Sequence, residues 1–127
     1  MMNVVWGLFA LGVVLYFVLG QGGGENALSA QEANATIAET KDLQLVDVRT
    51  PEEYREGHLP QARNIPLDQL EKRLGELKAD KPLLLYCHSG RRSSMAMGLM
   101  KKRGFTQMKN MKGGISAWNA AGLPVLK

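Results

Sequence analysis

The stretch Leu83-Leu84-Leu85-Tyr86-Cys87-His88-Ser89-Gly90-Arg91-Arg92-Ser93-Ser94 decides how the chain is read. Leu83 to Tyr86 is an unbroken apolar run after Pro82, the pattern of a strand buried on both faces. Cys87 to Arg92 is a short polar loop. From Ser93 to Arg103 a helix is predicted, with Met95, Ala96, Leu99, Met100 and Arg103 at helical spacing and Met95 and Met100 in its buried stripe. The single cysteine of the chain therefore falls where a strand ends and a helix begins. Free backbone N–H groups and the helix dipole favour an anion there. Arg91 and Arg92 add positive charge. A thiol so placed is expected to ionise readily to a nucleophilic thiolate. A cysteine serving as a small buried hydrophobe would instead sit inside an apolar run.

Strand and helix patterns alternate along the rest of the chain. Ser29-Ala30-Gln31-Glu32 and Thr50-Pro51-Glu52-Glu53 are capping boxes, the second with proline at the first helical position. The first predicts a helix to about Glu39, and the second a short helix carrying Tyr54 and stopping at Gly57. Leu43 to Val48 reads as a strand between them. Leu67, Leu70, Leu74 and Leu77 predict an amphipathic helix over Asp68 to Leu77. Met108 to Met111 reads as a last strand. The Gly113-Gly114 turn leads into a short helix that can bury Trp118. Such alternation implies an α/β fold with an open, mostly parallel sheet and helices on both faces. Ligands bind beyond the carboxyl ends of the strands in such sheets, where Cys87 falls.

Cys87-x-x-Gly90-x-Arg92 after a leucine-rich strand resembles the active-site loop of rhodanese (thiosulfate sulfurtransferase) domains. Asp47-Val48-Arg49, Glu53-Tyr54, Gly57-His58-Leu59 and Ala62-Arg63-Asn64-Ile65-Pro66 resemble the upstream signature of that family, and Gly113-Gly114-x-x-x-Trp118 its C-terminal one. The resemblance runs from about Leu28 to Lys127. One departure is Gln61, where the family usually has glycine; it bears on the local turn, not on the chemistry. The resemblance implies a three-layer α/β/α domain over residues 28–127. It further implies that Cys87 accepts a sulfane sulfur as a persulfide and passes it on, with no cofactor and no metal. The donor would be thiosulfate or a related small anion, and the acceptor a thiol or cyanide. N–H groups of His88, Ser89, Gly90, Arg91, Arg92 and Ser93 would cradle the persulfide anion. Arg92 takes the loop-closing position, and Arg91 with His88 could meet the sulfonate of the donor. Asp47 and Arg49 are supporting residues. The simpler reading of Asp47 is a structural ion pair with a nearby arginine; that of His58 is a loop histidine held by backbone hydrogen bonds.

Related phosphatases and arsenate reductases keep five residues between Cys and Arg. Here four separate Cys87 from Arg92, a smaller cradle suited to one extra sulfur. A persulfide carrier or sensor acting with a protein partner is the other reading kept. The net charge is +4, and Lys101, Lys102, Arg103, Lys109 and Lys112 follow the cysteine, so a positive field suited to small anions is expected there. No interleaved aromatics or binding motif point to nucleic acid. One cysteine with His58 and His88 makes neither an internal disulfide nor a closed structural zinc site. Methionines at 95, 97, 100, 108 and 111 are read as core filler rather than as Cu(I) ligands.

Met1 to Gly20 contains no charged side chain. As a helix, twenty residues reach about 30 Å, enough to cross a bilayer. With no preceding Lys or Arg and a poor small-residue cleavage site, an uncleaved single-pass anchor is favoured over a signal peptide. Residues 21–27 then form a flexible linker. No Lys or Arg lies within about 20 residues of either end, so the positive-inside rule has nothing to count. The reading taken places the domain outside the cytoplasm, in a periplasmic setting. Oligomeric state leaves no mark in the sequence.

Overall fold

The computed structural model describes residues 26–127; the expected span at residues 1–20 and most of the linker lie outside the described residues. Among the described residues no helix is long and apolar enough to cross a membrane. In chain order the elements are β1 (Ala27–Leu28), α1 (Ala30–Glu39), β2 (Gln44–Asp47), α2 (Pro51–Glu56), β3 (Arg63–Asn64) and α3 (Leu67–Leu70), which tightens into a 3₁₀ segment (Glu71–Glu76). There follow β4 (Leu83–Tyr86), α4 (Arg91–Lys102), β5 (Met108–Met111) and α5 (Gly114–Ala120). The five strands form one sheet in the order β1-β5-β4-β2-β3, and every neighbouring pair is parallel. The expected three-layer α/β/α architecture is thus present.

Alternation along β4 explains the layers. Leu83, Leu85 and Cys87 point to one face, where they pack with Val46, Val48, Leu70, Ala96, Met100, Phe105 and Met108 under α3 and α4. Leu84 and Tyr86 point to the other, where Leu28, Ala33, Met111, Ile115 and Trp118 close the core under α1 and α5. Central β4 is buried on both sides, so its sequence is continuously apolar rather than alternating.

Both capping boxes form. Ser29 Oγ accepts the Glu32 N–H at 3.0 Å, and Glu32 Oε1 accepts the Ser29 N–H at 2.9 Å. Thr50 and Glu53 repeat the exchange at 3.2 and 3.1 Å.

Five details differ from the sequence expectations. Ala27, assigned to the linker, already pairs with Asn110 in β1. Strands β1 and β3 are two residues each, too short to show a period. The helix expected over Asp68 to Leu77 changes to 3₁₀ after Leu70. Gly75 weakens its last turn, and the three-residue step from Leu74 to Leu77 matches the 3₁₀ repeat, with Leu77 N–H on Leu74 O at 3.0 Å. The long helix starts at Arg91, two residues early, and buries Ser93, Ala96 and Met100. Met95, expected in that stripe, is 59% exposed.

Candidate active site

Cys87 follows the last residue of β4 and is 1% exposed. Its Sγ accepts the Gly90 N–H at 3.0 Å, and the Ser93 hydroxyl lies 3.5 Å away. Gly90 caps α4 with φ of 107°, a left-handed conformation that turns the loop back over the sulfur and that other residues resist. Burial pushes the thiol pKa up. Hydrogen bonds from the Ser93 hydroxyl and from the N–H groups of Ser93, Gly90 and Ser89 outweigh it, and the pKa is lowered. The thiolate is therefore favoured by fixed local dipoles, as the strand-to-helix placement predicted.

The charges contribute differently from expectation. Arg92 is committed to a carboxylate, although its charge still acts on the Cys87 sulfur. Its guanidinium forms a fork on Glu53 of α2, with Nη1 to Oε1 at 2.7 Å and Nη2 to Oε2 at 2.9 Å. It closes the loop mechanically, by tying the start of α4 to α2. His88, Ser89 and Arg91 are exposed around the opening. Lys101, Lys102 and Arg103 lie at the far end of α4, about 18 Å along the helix from the loop. Lys109 is fully buried in β5. Lys101, Lys102, Arg103 and Lys109 thus do not form the expected field at the cysteine, whereas Lys112, exposed between β5 and Gly113, stays beside the loop.

The other side of the loop rests on α5. Its first free N–H groups, of Ile115 and Ser116, donate to the carbonyls of Cys87 and His88 at 2.9 and 3.1 Å. Gly114 makes this approach possible: a Cβ there would lie 2.4 Å from Cys87 O and 2.5 Å from His88 O.

A nucleophile at a strand end, ringed by amides and locked from both sides, is the arrangement the sequence resemblance implies. The family model for the rhodanese-like domain matches residues 29–121. The chain belongs to the rhodanese-like domain family. A sulfurtransferase of Allochromatium vinosum is 35% identical over 101 residues, covering 80% of this chain and 94% of the relative. The thiosulfate sulfurtransferase GlpE of Shewanella oneidensis is 32% identical over 85 residues, 67% of this chain and 84% of the relative. Among solved structures, a rhodanese-related protein from Thermoplasma volcanium superposes with a TM-score of 0.72 at 29% identity, covering 80% of this chain and 97% of that one. Sulfur transfer is the family-level activity of these relatives.

Within this rhodanese-like domain, Asp47 and Arg49 form a buried ion pair. Arg49 Nη2 donates to Asp47 Oδ2 at 2.7 Å and Arg49 Nε to both carboxylate oxygens at 3.1 Å. Arg49 Nη2 also donates to Gly57 O at 2.6 Å, holding the end of α2. Tyr86 lies against this pair, with the Arg49 guanidinium 5.7 Å from its ring centroid and its hydroxyl accepting the Leu59 N–H at 3.1 Å. Burial and the Asp47 charge push the phenol pKa upward. Asp47 is thus the structural ion-pair partner that the simpler reading expected. His58 also follows its simpler reading. Nδ1 meets Tyr54 O at 2.9 Å, the ring stacks on Tyr54 at 3.7 Å, and its backbone pairs with Leu126. Gln61 adopts φ of 71°, at a cost of about 1 kcal/mol relative to the family's glycine.

Two residues at the site were given no role there by the sequence: Asn110, which reaches Ser93, and Glu53, quoted only in its capping box and in the Glu53-Tyr54 signature. The Arg92 fork, despite partial burial, holds the Glu53 carboxyl well below its usual range, at about 2. Its folded pKa lies below its unfolded one, so the stabilisation is complete above about pH 5 and is lost as pH falls through about 2. At pH 7 we expect Glu53→Gln to cost about 1 kcal/mol, or roughly 4–8 °C in Tm. The gap to wild type should narrow as thermal melts are taken to pH 2.

Proposed function

We propose that this domain is a thiosulfate sulfurtransferase working through a persulfide on Cys87. The observation that carries the reading is the Cys87 Sγ held at 3.0 Å from the Gly90 N–H with the Ser93 hydroxyl behind it, in a loop with four residues between Cys87 and Arg92. Cys87 thiolate attacks the outer sulfur of thiosulfate. The new S–S bond forms as the S–S bond of the donor breaks, and sulfite leaves with that electron pair. The persulfide anion then lies among the N–H groups of Ser89, Gly90 and Ser93. Cyanide or a thiolate attacks its terminal sulfur, and Cys87 leaves again as thiolate. No external oxidant or reductant is needed. His88 and Arg91 form the exposed rim, and Arg91 meets the sulfonate.

Steady turnover with thiosulfate and cyanide tests the reading. Single loading, with discharge only to a protein partner, would make the protein a carrier. Arg91→Ala is expected to raise the KM for thiosulfate about tenfold while leaving sulfur release to cyanide nearly unchanged. Equal loss at both steps would remove Arg91 from donor binding.

We further propose that residues 1–20 anchor the domain in a bilayer as a single uncleaved span, with the domain on the extracytoplasmic side. The support is the uncharged apolar run and the missing cleavage pattern. The full chain should sediment with membranes through a high-salt wash; release by salt would contradict the anchor.

A further inference from the structure

Resting on the sulfur-transfer reading, we propose that Asn110 is a positioning residue for the reaction: its side-chain amide decides whether the Ser93 hydroxyl proton is held on β5 or delivered to the sulfur of Cys87. The Ser93 hydroxyl has one proton and three acceptors around it. Asn110 Oδ1 is at 2.5 Å, Gly90 O at 3.2 Å and Cys87 Sγ at 3.5 Å. With Oδ1 facing Ser93, the shortest contact takes the larger share of the proton, and the sulfur keeps only the long 3.5 Å contact. Asn110 Nδ2 meanwhile donates to Ser94 Oγ at 3.0 Å, and Ser94 Oγ donates to Gly90 O at 2.8 Å.

An amide has an acceptor end and a donor end of nearly equal size. Turned over, Nδ2 donates to Ser93 Oγ, and the Ser93 proton is released to Sγ. Oδ1 then accepts from Ser94, while Gly90 O keeps the Ser94 N–H at 3.2 Å. Each side chain still has a partner, but the turned amide gives up the long Nδ2 contact with Gly90 O at 3.5 Å and sets Oδ1 beside that carbonyl, a cost that the charge on the sulfur offsets. Only the second commits the Ser93 hydroxyl fully to a sulfur anion. The first suits an uncharged thiol, and the second suits the thiolate and the persulfide.

Asn110 is well placed to serve as this selector. It is 8% exposed, and its backbone is paired on both sides, with Leu85 of β4 and Ala27 of β1. Its N–H donates to Asn26 O at 2.7 Å. The strand thus fixes the Cα while the amide is free to choose its face. The charges near the loop are Arg92 with Glu53 and Arg49 with Asp47, two mutually neutralising pairs, with His88 and Arg91 at the exposed rim and Lys112 exposed just past β5. None of them is altered by the variants below.

The test uses the single cysteine: the rate of Cys87 alkylation by iodoacetamide against pH, without any sulfur donor. Aspartate is acceptor-only when ionised, so Asn110→Asp holds the Ser93 proton permanently. It should move the thiol titration up by about one pH unit, a tenfold loss of thiolate near neutrality. In a Ser93→Ala background the same change should cost less than threefold. Asn110→Ala releases the Ser93 proton and should not raise the titration, whereas Ser93→Ala should. A rise in Asn110→Ala equal to that of Ser93→Ala overturns the proposal, and so does an Asn110→Asp effect undiminished by Ser93→Ala. Should Asn110→Asp not fold, the comparison of Asn110→Ala with Ser93→Ala still decides. Because no donor is used, failure here is distinct from failure to load sulfur from thiosulfate.

Discussion

Cys87→Ala is expected to abolish thiosulfate:cyanide turnover, a loss of at least about 10³-fold, while the fold persists. Each half-reaction needs the same sulfur, first as nucleophile and then as leaving group. No second cysteine exists to replace it. The amides of Ser89, Gly90 and Ser93 would remain, but they stabilise charge on an atom that is gone. Stability should fall by only about 1 kcal/mol, since one buried sulfur is removed from a cluster otherwise filled by leucine, valine and methionine. Steady-state kinetics paired with thermal melts checks both halves. Turnover retained in Cys87→Ala would remove the covalent mechanism.

Gly114→Ala should be the most damaging single change outside the loop. The added methyl would lie 2.4 Å from Cys87 O and 2.5 Å from both the carbonyl carbon and oxygen of His88, and all three are backbone atoms. No side chain can swing away to relieve the overlap. Either α5 or the cysteine loop must move, and the Ile115 and Ser116 hydrogen bonds to that loop are strained or lost. A φ of 57° adds about 1 kcal/mol for an L-residue. We expect a destabilisation of about 3 kcal/mol or more. Activity should fall about 10²-fold even in the fraction that folds, because the sulfur is displaced from its amides. Gly104→Ala is the matched control. It carries φ of 94° but its Cβ would meet nothing within 4 Å, so it should cost about 1 kcal/mol and leave activity intact. Equal activity losses in the two variants would show that backbone strain, not loop displacement, is responsible.

The legible parts of the sequence were those governed by local rules. The buried run Leu83–Tyr86, the capping boxes at Ser29 and Thr50, and the strand-to-helix position of Cys87 each need only neighbours within a few residues. The hidden parts depend on tertiary pairing. Asn110 reaches Ser93 across 17 residues because β5 pairs with β4 beside the start of α4. Glu53 meets Arg92 across 39 residues, which makes the loop-closing arginine a mechanical clamp and leaves only part of its charge to the sulfur. Lys101 and Lys102 were near the cysteine in sequence only, since the length of α4 carries them away, whereas β5 brings Lys112 back to the loop. Met95 was misplaced for a smaller reason. The buried stripe of α4 runs through Ser93, Ala96 and Met100, and small Ser93 drew no notice as a core residue.

Intact-mass measurement of the protein after incubation with thiosulfate, followed by peptide mapping, tests the central claim most directly. The account predicts a mass gain of one sulfur atom, located on Cys87 and removed by cyanide. An unchanged mass, with the thiol still free and alkylatable, would contradict it.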